Sequence, residues 1–272
     1  MQPPKNLVTN FTQMEVILLT CIGTDSNVSN PNLLYHFLDY YTELGITTWA
    51  ITLHVGIRKE LNNLKIFEEI LSQYKIPYEV WIEEFYTHKR DKRHNNFVQE
   101  QKDSSWIFGI DLDEFVSFPC QIPEYLEELS SRGYNCLCGR LVDRVAEQGI
   151  LKFIDKDIPI SEQFPHVAEV KKNIYRPSTP QAPFEKQLAI KKPLQWGTGH
   201  HLINRQTTQD QRESPETLII NHYAWDHLLI GRIQQRVEYY KNYEGFDWGQ
   251  EYVNMINYIE KYSKLRLKDI II

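Results

Sequence analysis

Four short apolar runs, each but the last followed by a stretch of helical periodicity, constrain this chain more than any other feature. Residues 15 to 22, EVILLTCI, are apolar almost without interruption, which suits a strand buried on both faces. A helix with legible ends comes next. Asn30 caps it, Pro31 takes its first position, Leu34, Phe37, Leu38 and Tyr41 recur at i, i+3, i+4 and i+7, and Gly45 stops it. Residues 47 to 55, TTWAITLHV, are β-branched and aromatic enough for a second strand. A second helix runs through Leu64, Phe67, Ile70, Leu71 and Tyr74. Residues 78 to 85 predict a third strand, 91 to 102 a third helix, and WIFGI at 106 to 110 a fourth strand. This alternation predicts an α/β fold: a mostly parallel central sheet flanked by helices and joined by right-handed crossovers.

The second half is less regular. A helix over 122 to 132 starts near Pro123, and residues 134 to 143 read as a strand. Residues 155 to 200 are loop-rich, with prolines at 159, 165, 177, 180, 183 and 193, and an irregular stretch of that length is expected to form a binding surface. Residues 217 to 225 predict the last strand. Ile230, Ile233, Val237 and Tyr240 then follow helical spacing, and a final helix over 252 to 265 is expected to pack on the same side. With 272 residues the chain fits one large domain, divided into a ligand-binding half at about 15 to 110, a second half at about 111 to 240 and a helical extension over 241 to 272.

Hydrophobic, aromatic and charged fractions of 42%, 12% and 24% argue against a disordered or fibrous chain. A net charge of -6 offers no electrostatic footprint for nucleic acid. The first twenty residues lack the basic-then-apolar design of a secretory signal, and no run approaches transmembrane length, which leaves peripheral membrane contact open. Cys21, Cys120, Cys136 and Cys138 include no CxxC and are read as free thiols of a reducing cytoplasm. Cys136 and Cys138 alternate along a strand, so both are expected in the core.

The chemistry concentrates where the fourth strand ends, in Asp111-Leu112-Asp113-Glu114-Phe115. In an extended segment, side chains at i and i+2 share a side, so Asp111 and Asp113 are expected to converge and repel. A divalent cation relieves that repulsion, and Mg²⁺ or Mn²⁺ takes hard oxygen ligands while binding substrate phosphates. The plainer alternative is a solvated turn with helix-capping aspartates. Ligands of open α/β sheets do bind at the carboxyl ends of such strands.

DLDEF after its apolar strand, the basic and amide-rich HKRDKRHNNFVQEQ before it and INHYAW late in the chain together resemble the GT-A glycosyltransferases, in particular the family 2-like and family 92-like proteins. The resemblance spans about residues 15 to 240. It implies transfer of a sugar from a nucleoside diphosphate sugar, a UDP-sugar favoured, to a glycan or glycoconjugate acceptor with inversion, assisted by Mn²⁺ or Mg²⁺. On that pattern Asp111 and Leu112 meet the donor, Asp111 lying near the ribose or reaching the metal through water, Asp113 binds the metal, and His222 completes its shell. Family 2 enzymes carry a base-recognising aspartate after the second strand. LHVGIRKELNN lacks it here, so Thr20, Asp25 and His54 are the candidate replacements.

Other residues remain open to two readings. The run His88 to His94 is either a solvated helix start or a platform presenting Arg93 and Asn96 to the diphosphate. Inverting transfer needs a carboxylate for the acceptor proton, and Asp143, Glu169 and Glu185 are candidates, unless Asp143 and Arg144 form only an ion pair. Trp196-Gly-Thr-Gly-His-His201 reads as a flexible loop whose tryptophan stacks on a sugar, with His201 the rival of His222. Two competing functions stand beside the transferase. One is a haloacid-dehalogenase-type phosphohydrolase, in which Asp111 is a nucleophile and Asp113 an acid/base. The other is a non-catalytic carbohydrate-binding protein with a GT-A fold.

Overall fold

The computed structural model describes residues 14–25, 27–56, 62–175, 184–241 and 248–271. The N-terminal residues 1 to 13, on which the expectation about a secretory signal falls, residues 57 to 61 of the segment after the second strand, and Pro177, Pro180 and Pro183 lie outside these. Strand β1 (Val16–Gly23) is followed by α1 (Pro31–Glu43), β2 (Thr48–Val55), α2 (Asn62–Gln73), β3 (Tyr78–Ile82), α3 (Thr87–Glu100) and β4 (Trp106–Gly109). Then come β5 (Glu114–Ser117), α4 (Ile122–Ser131), β6 (Cys136–Val145), α5 (Ile160–Gln163), β7 (His166–Ala168), β8 (Glu185–Ile190), β9 (Glu213–His222), α6 (Leu229–Lys241), α7 (Trp248–Tyr262) and α8 (Leu267–Ile270).

The first half forms as its patterning predicts. Asn30 caps α1, its side chain accepting from the Asn32 amide, and Gly45, at φ +87, ends the turn beyond it. Leu33, Leu34, Phe37, Leu38 and Tyr41 face the sheet. Strands β3, β2, β1 and β4 pair in parallel in that order.

The mostly parallel sheet then becomes mixed. Its nine strands run β3-β2-β1-β4-β8-β6-β9-β5, with β7 beside the last residues of β6. β8 is antiparallel to both β4 and β6, β9 is parallel to β6, and β5 is antiparallel to β9. The ordered strand β8 corrects the loop reading of 155 to 200. Its sequence EKQLAI conceals a central strand, because a lysine and a glutamine occupy buried positions. Strand β3 also stops at Ile82, short of the expected 85, and α3 begins at Thr87, ahead of the expected 91. Cys136 and Cys138 are buried as expected, although a bulge interrupts the β6 register between them.

Helices α6, α7 and α8 bring Leu229, Ile233, Met255, Ile259 and Ile270 into one apolar cluster with Val145 and Trp225. Gly149 closes this region. A Cβ there would meet the Leu265 carbonyl oxygen at 1.6 Å, so only glycine admits that segment. Among the described residues, no helix is long and apolar enough to cross a membrane.

Candidate active site

The topology brings several strand ends to one edge. β4, β6 and β9 finish there, and β5 and β8 start there, so Asp111, Asp143, His222, Glu114 and Lys186 meet although the chain separates them widely. The expected extended geometry of Asp111 and Asp113 does not form. The Glu114 amide donates to the Asp111 carbonyl, making a tight turn, and the Glu114 carboxylate accepts from the Asp111 amide at 3.1 Å. Tyr41 anchors the turn by donating its hydroxyl to the Glu114 carbonyl and accepting from the Val116 amide. The two aspartates therefore take different partners.

Asp111 is held by cations. Lys186, 2% exposed, places Nζ 2.7 Å from Asp111 Oδ2 and 2.6 Å from Glu114 Oε2. Arg90 approaches Asp111 Oδ1 at 3.6 Å while hydrogen bonding Asp91. Burial opposes ionisation of Asp111, but Lys186 and Arg90 outweigh it and hold the carboxyl well below the usual range. For Glu114 burial prevails over Lys186, and its pKa rises.

Asp113 faces an imidazole instead. His222 Nε2 lies 3.5 Å from Asp113 Oδ2, and His222 Nδ1 lies 2.8 Å from Asp143 Oδ1. Asp143 Oδ2 accepts the Val170 amide at 2.9 Å. A carboxylate accepting on both oxygens places a proton on Nδ1 of His222 and turns Nε2 toward Asp113. The Tyr223 amide fixes the Asp113 carbonyl at 2.7 Å. Burial works against the charge of Asp113, yet His222 lowers its pKa to about 2. These two donors fit a divalent cation, since ligands at right angles on bonds of about 2.1 Å stand roughly 3 Å apart. A histidine oriented by a carboxylate is also the usual supporting arrangement for a metal ligand. Among the described residues, no group of three or more His, Cys, Asp or Glu is placed to hold a metal alone.

This geometry corrects the expectation that Asp143 takes a proton from the acceptor. The residue is 5% exposed with both oxygens engaged, so its place is behind His222. Nor does it pair with Arg144, whose Nε donates to the Phe164 carbonyl. Glu169 precedes Val170 and pairs with Lys172 and, at 3.5 Å, with Arg140. Glu185 begins β8, exposed, one residue before the inward-facing Lys186.

The expected nucleotide contacts are dispersed. Thr20 is fully buried inside β1, its hydroxyl without a hydrogen-bond partner. His54 is packed against Trp81 and Phe85, with Nε2 2.8 Å from the Glu83 carbonyl, and burial lowers its pKa. Asp25 accepts from Gln235 of α6 at 2.7 Å. Leu112 is 8% exposed and joins the core, leaving its backbone to meet a ligand. Arg93 pairs with Glu79 at 2.6 Å and Asn96 is exposed, so α3 turns Arg90, Asp91 and His94 toward the turn instead.

The loop after β8 is clasped rather than flexible. Asn95 donates to the Trp196 carbonyl and accepts its amide, and Asp91 accepts the Gly199 amide. Trp196 is 1% exposed and stacked on His200 at 4.3 Å, which removes it from any sugar. A Cβ at Gly109 would meet its ring at 2.8 Å, the reason β4 carries glycine there. His94 Nδ1 lies 3.1 Å from His200 Nε2, and burial lowers the pKa of both, His94 to about 3. His201, the rival ligand, has Nδ1 2.9 Å from the Glu185 carbonyl. Neither a scan against known protein families nor a search of curated proteins finds a match for this chain.

Proposed function

We propose that the protein is a metal-dependent glycosyltransferase of the hexosyltransferase type, moving a sugar from a nucleoside diphosphate sugar, UDP-sugar favoured, to a glycan or glycoconjugate hydroxyl with inversion. The observation that carries this reading is the line Asp113, His222, Asp143 at the sheet edge where the β4 turn ends. Asp113 and His222 would hold Mn²⁺ or Mg²⁺, and Asp143 keeps the imidazole aligned. When bound, such an ion offsets the charge that develops on the departing diphosphate. Asp111, kept ionised by Lys186 and Arg90, accepts from donor hydroxyls. As the acceptor oxygen bonds to the anomeric carbon and the bond to the diphosphate breaks, the acceptor proton passes to a carboxylate. Glu169 is our choice, being next to the residue that binds Asp143. The four cysteines, all free, support a cytoplasmic setting.

One observation favours the phosphohydrolase alternative: an ionised Asp111 beside a buried lysine also suits a carboxylate nucleophile. A thermal-shift screen of nucleotide sugars with and without Mn²⁺ separates the two. A true donor at a hundred times its dissociation constant should add about 2.7 kcal/mol of stability, only when Mn²⁺ is present, and nucleoside diphosphate should be released slowly into water. Stabilisation by vanadate and by no nucleotide sugar would overturn the transferase. Donor binding with no release would leave a binding protein.

A further inference from the structure

Lys186 is the one lysine buried among the described residues. An ammonium at that depth is costly unless it is paired, and here it meets a carboxylate on each side, Asp111 at 2.7 Å and Glu114 at 2.6 Å. Arg90 attends the other oxygen of Asp111, so the Asp111 side of the turn carries its own positive charge. Asp113 differs: among the described residues its ion-pair partner is His222 alone. A hard divalent ion seeks about six ligands, and it commonly takes one or two from protein carboxylates and the rest from substrate phosphates and water.

We propose that Lys186 is a resident cation that sets the divalent-ion affinity of this site. Resting on the metal reading above, the inference is that Lys186 occupies Asp111 and Glu114 and thereby leaves only Asp113 and His222 to an added ion. The ion is then retained firmly only once a donor diphosphate adds its oxygens. Lys186 is a positioning residue in this scheme. It touches neither donor nor ion, and it acts by keeping two carboxylates out of the ion's reach. Removing its charge frees Asp111, and with it Glu114, to bind the ion directly.

The test is Mn²⁺ binding, followed by electron paramagnetic resonance on the full chain, with and without UDP. Wild-type protein should bind Mn²⁺ weakly alone and more tightly with UDP. Lys186→Gln should bind Mn²⁺ alone about tenfold tighter or more, within the range by which neighbours of metal ligands tune affinity. Lys186→Arg, which keeps the charge, should restore wild-type behaviour, a rescue that a purely structural role in packing would not produce. Should Lys186→Gln fail to fold, the charge-neutral pair Lys186→Gln with Glu114→Gln replaces it and should show a smaller rise in the same direction, carried by Asp111 alone. Unchanged or weaker Mn²⁺ binding in the folded variant, with UDP-dependent uptake intact in wild type, overturns the inference alone. Wild-type protein that takes up no Mn²⁺ even with UDP overturns the metal reading and this inference together.

Discussion

The two aspartates of the β4 turn stand two residues apart, yet one lies between a lysine and an arginine and the other faces a single imidazole. Around Asp111 a buried lysine and an arginine supply positive charge, and Glu114 and Asp91 balance them. Around Asp113 there is a histidine oriented by a buried carboxylate. The difference arises from topology. Lys186 enters from β8 and Arg90 from α3 on one side, whereas His222 and Asp143 come from β9 and β6 on the other. Identical side chains thus receive different surroundings from their neighbours, and on the proposed reading Asp113 would bind the metal while Asp111, held by Lys186 and Arg90, would meet the donor.

The largest effect should follow from losing that ligand. Asp113→Ala is expected to weaken Mn²⁺-dependent donor binding by about a hundredfold or more, beyond what oriented neighbours of a metal ligand contribute. The fold should persist, since the ionised Asp113 contributes only on the order of 1 kcal/mol to stability. Calorimetry with Mn²⁺ and a nucleotide sugar decides it, and normal affinity would erase the contrast between the two sides.

A smaller loss is expected at Asp143→Asn, about ten- to hundredfold in metal-dependent donor affinity, because the amide no longer fixes the His222 tautomer. Glu169→Gln should behave oppositely, keeping donor affinity while turnover falls by about a hundred- to ten-thousandfold. Measured on matched preparations, the pair sharpens the division of labour. Intact donor affinity with lost turnover in Asp143→Asn would return the proton to Asp143.

Much of this frame was legible because the first half is built of apolar runs and clean helical phases. Those signals carried β1, α1, β2, α2, β4 and the position of DLDEF. Residues that owe their place to distant strands were less legible. Lys186 shares a strand face with Leu188 and Ile190, and that inward phase is its only sequence trace. Arg90 belonged to the run already noted. Counting back from the buried Val98 by four and seven gives His94 and Asp91, the face that reaches the turn, rather than Arg93 and Asn96. The extended reading of DLD failed because a hydrogen bond from residue 114 to 111 outweighs strand continuation.

The smallest effect concerns acid. Asp113 titrates at about 2 in the fold against an ordinary 3.8, so the unfolded chain binds more protons between those values and stability must rise with pH there. The contribution is complete above about pH 4 and is lost as pH falls toward 2. With about a third of its side chain exposed at 32%, solvent screening reduces it to on the order of 1 kcal/mol. On the other side of the turn, Asp111 acts in the same direction while the raised Glu114 acts against it. Urea unfolding in EDTA across this pH range should therefore show a shallower slope for Asp113→Asn than for wild type. Equal slopes would mean that His222 does not hold Asp113 in its charged form, and the proposed ligand pair would lose its electrostatic basis.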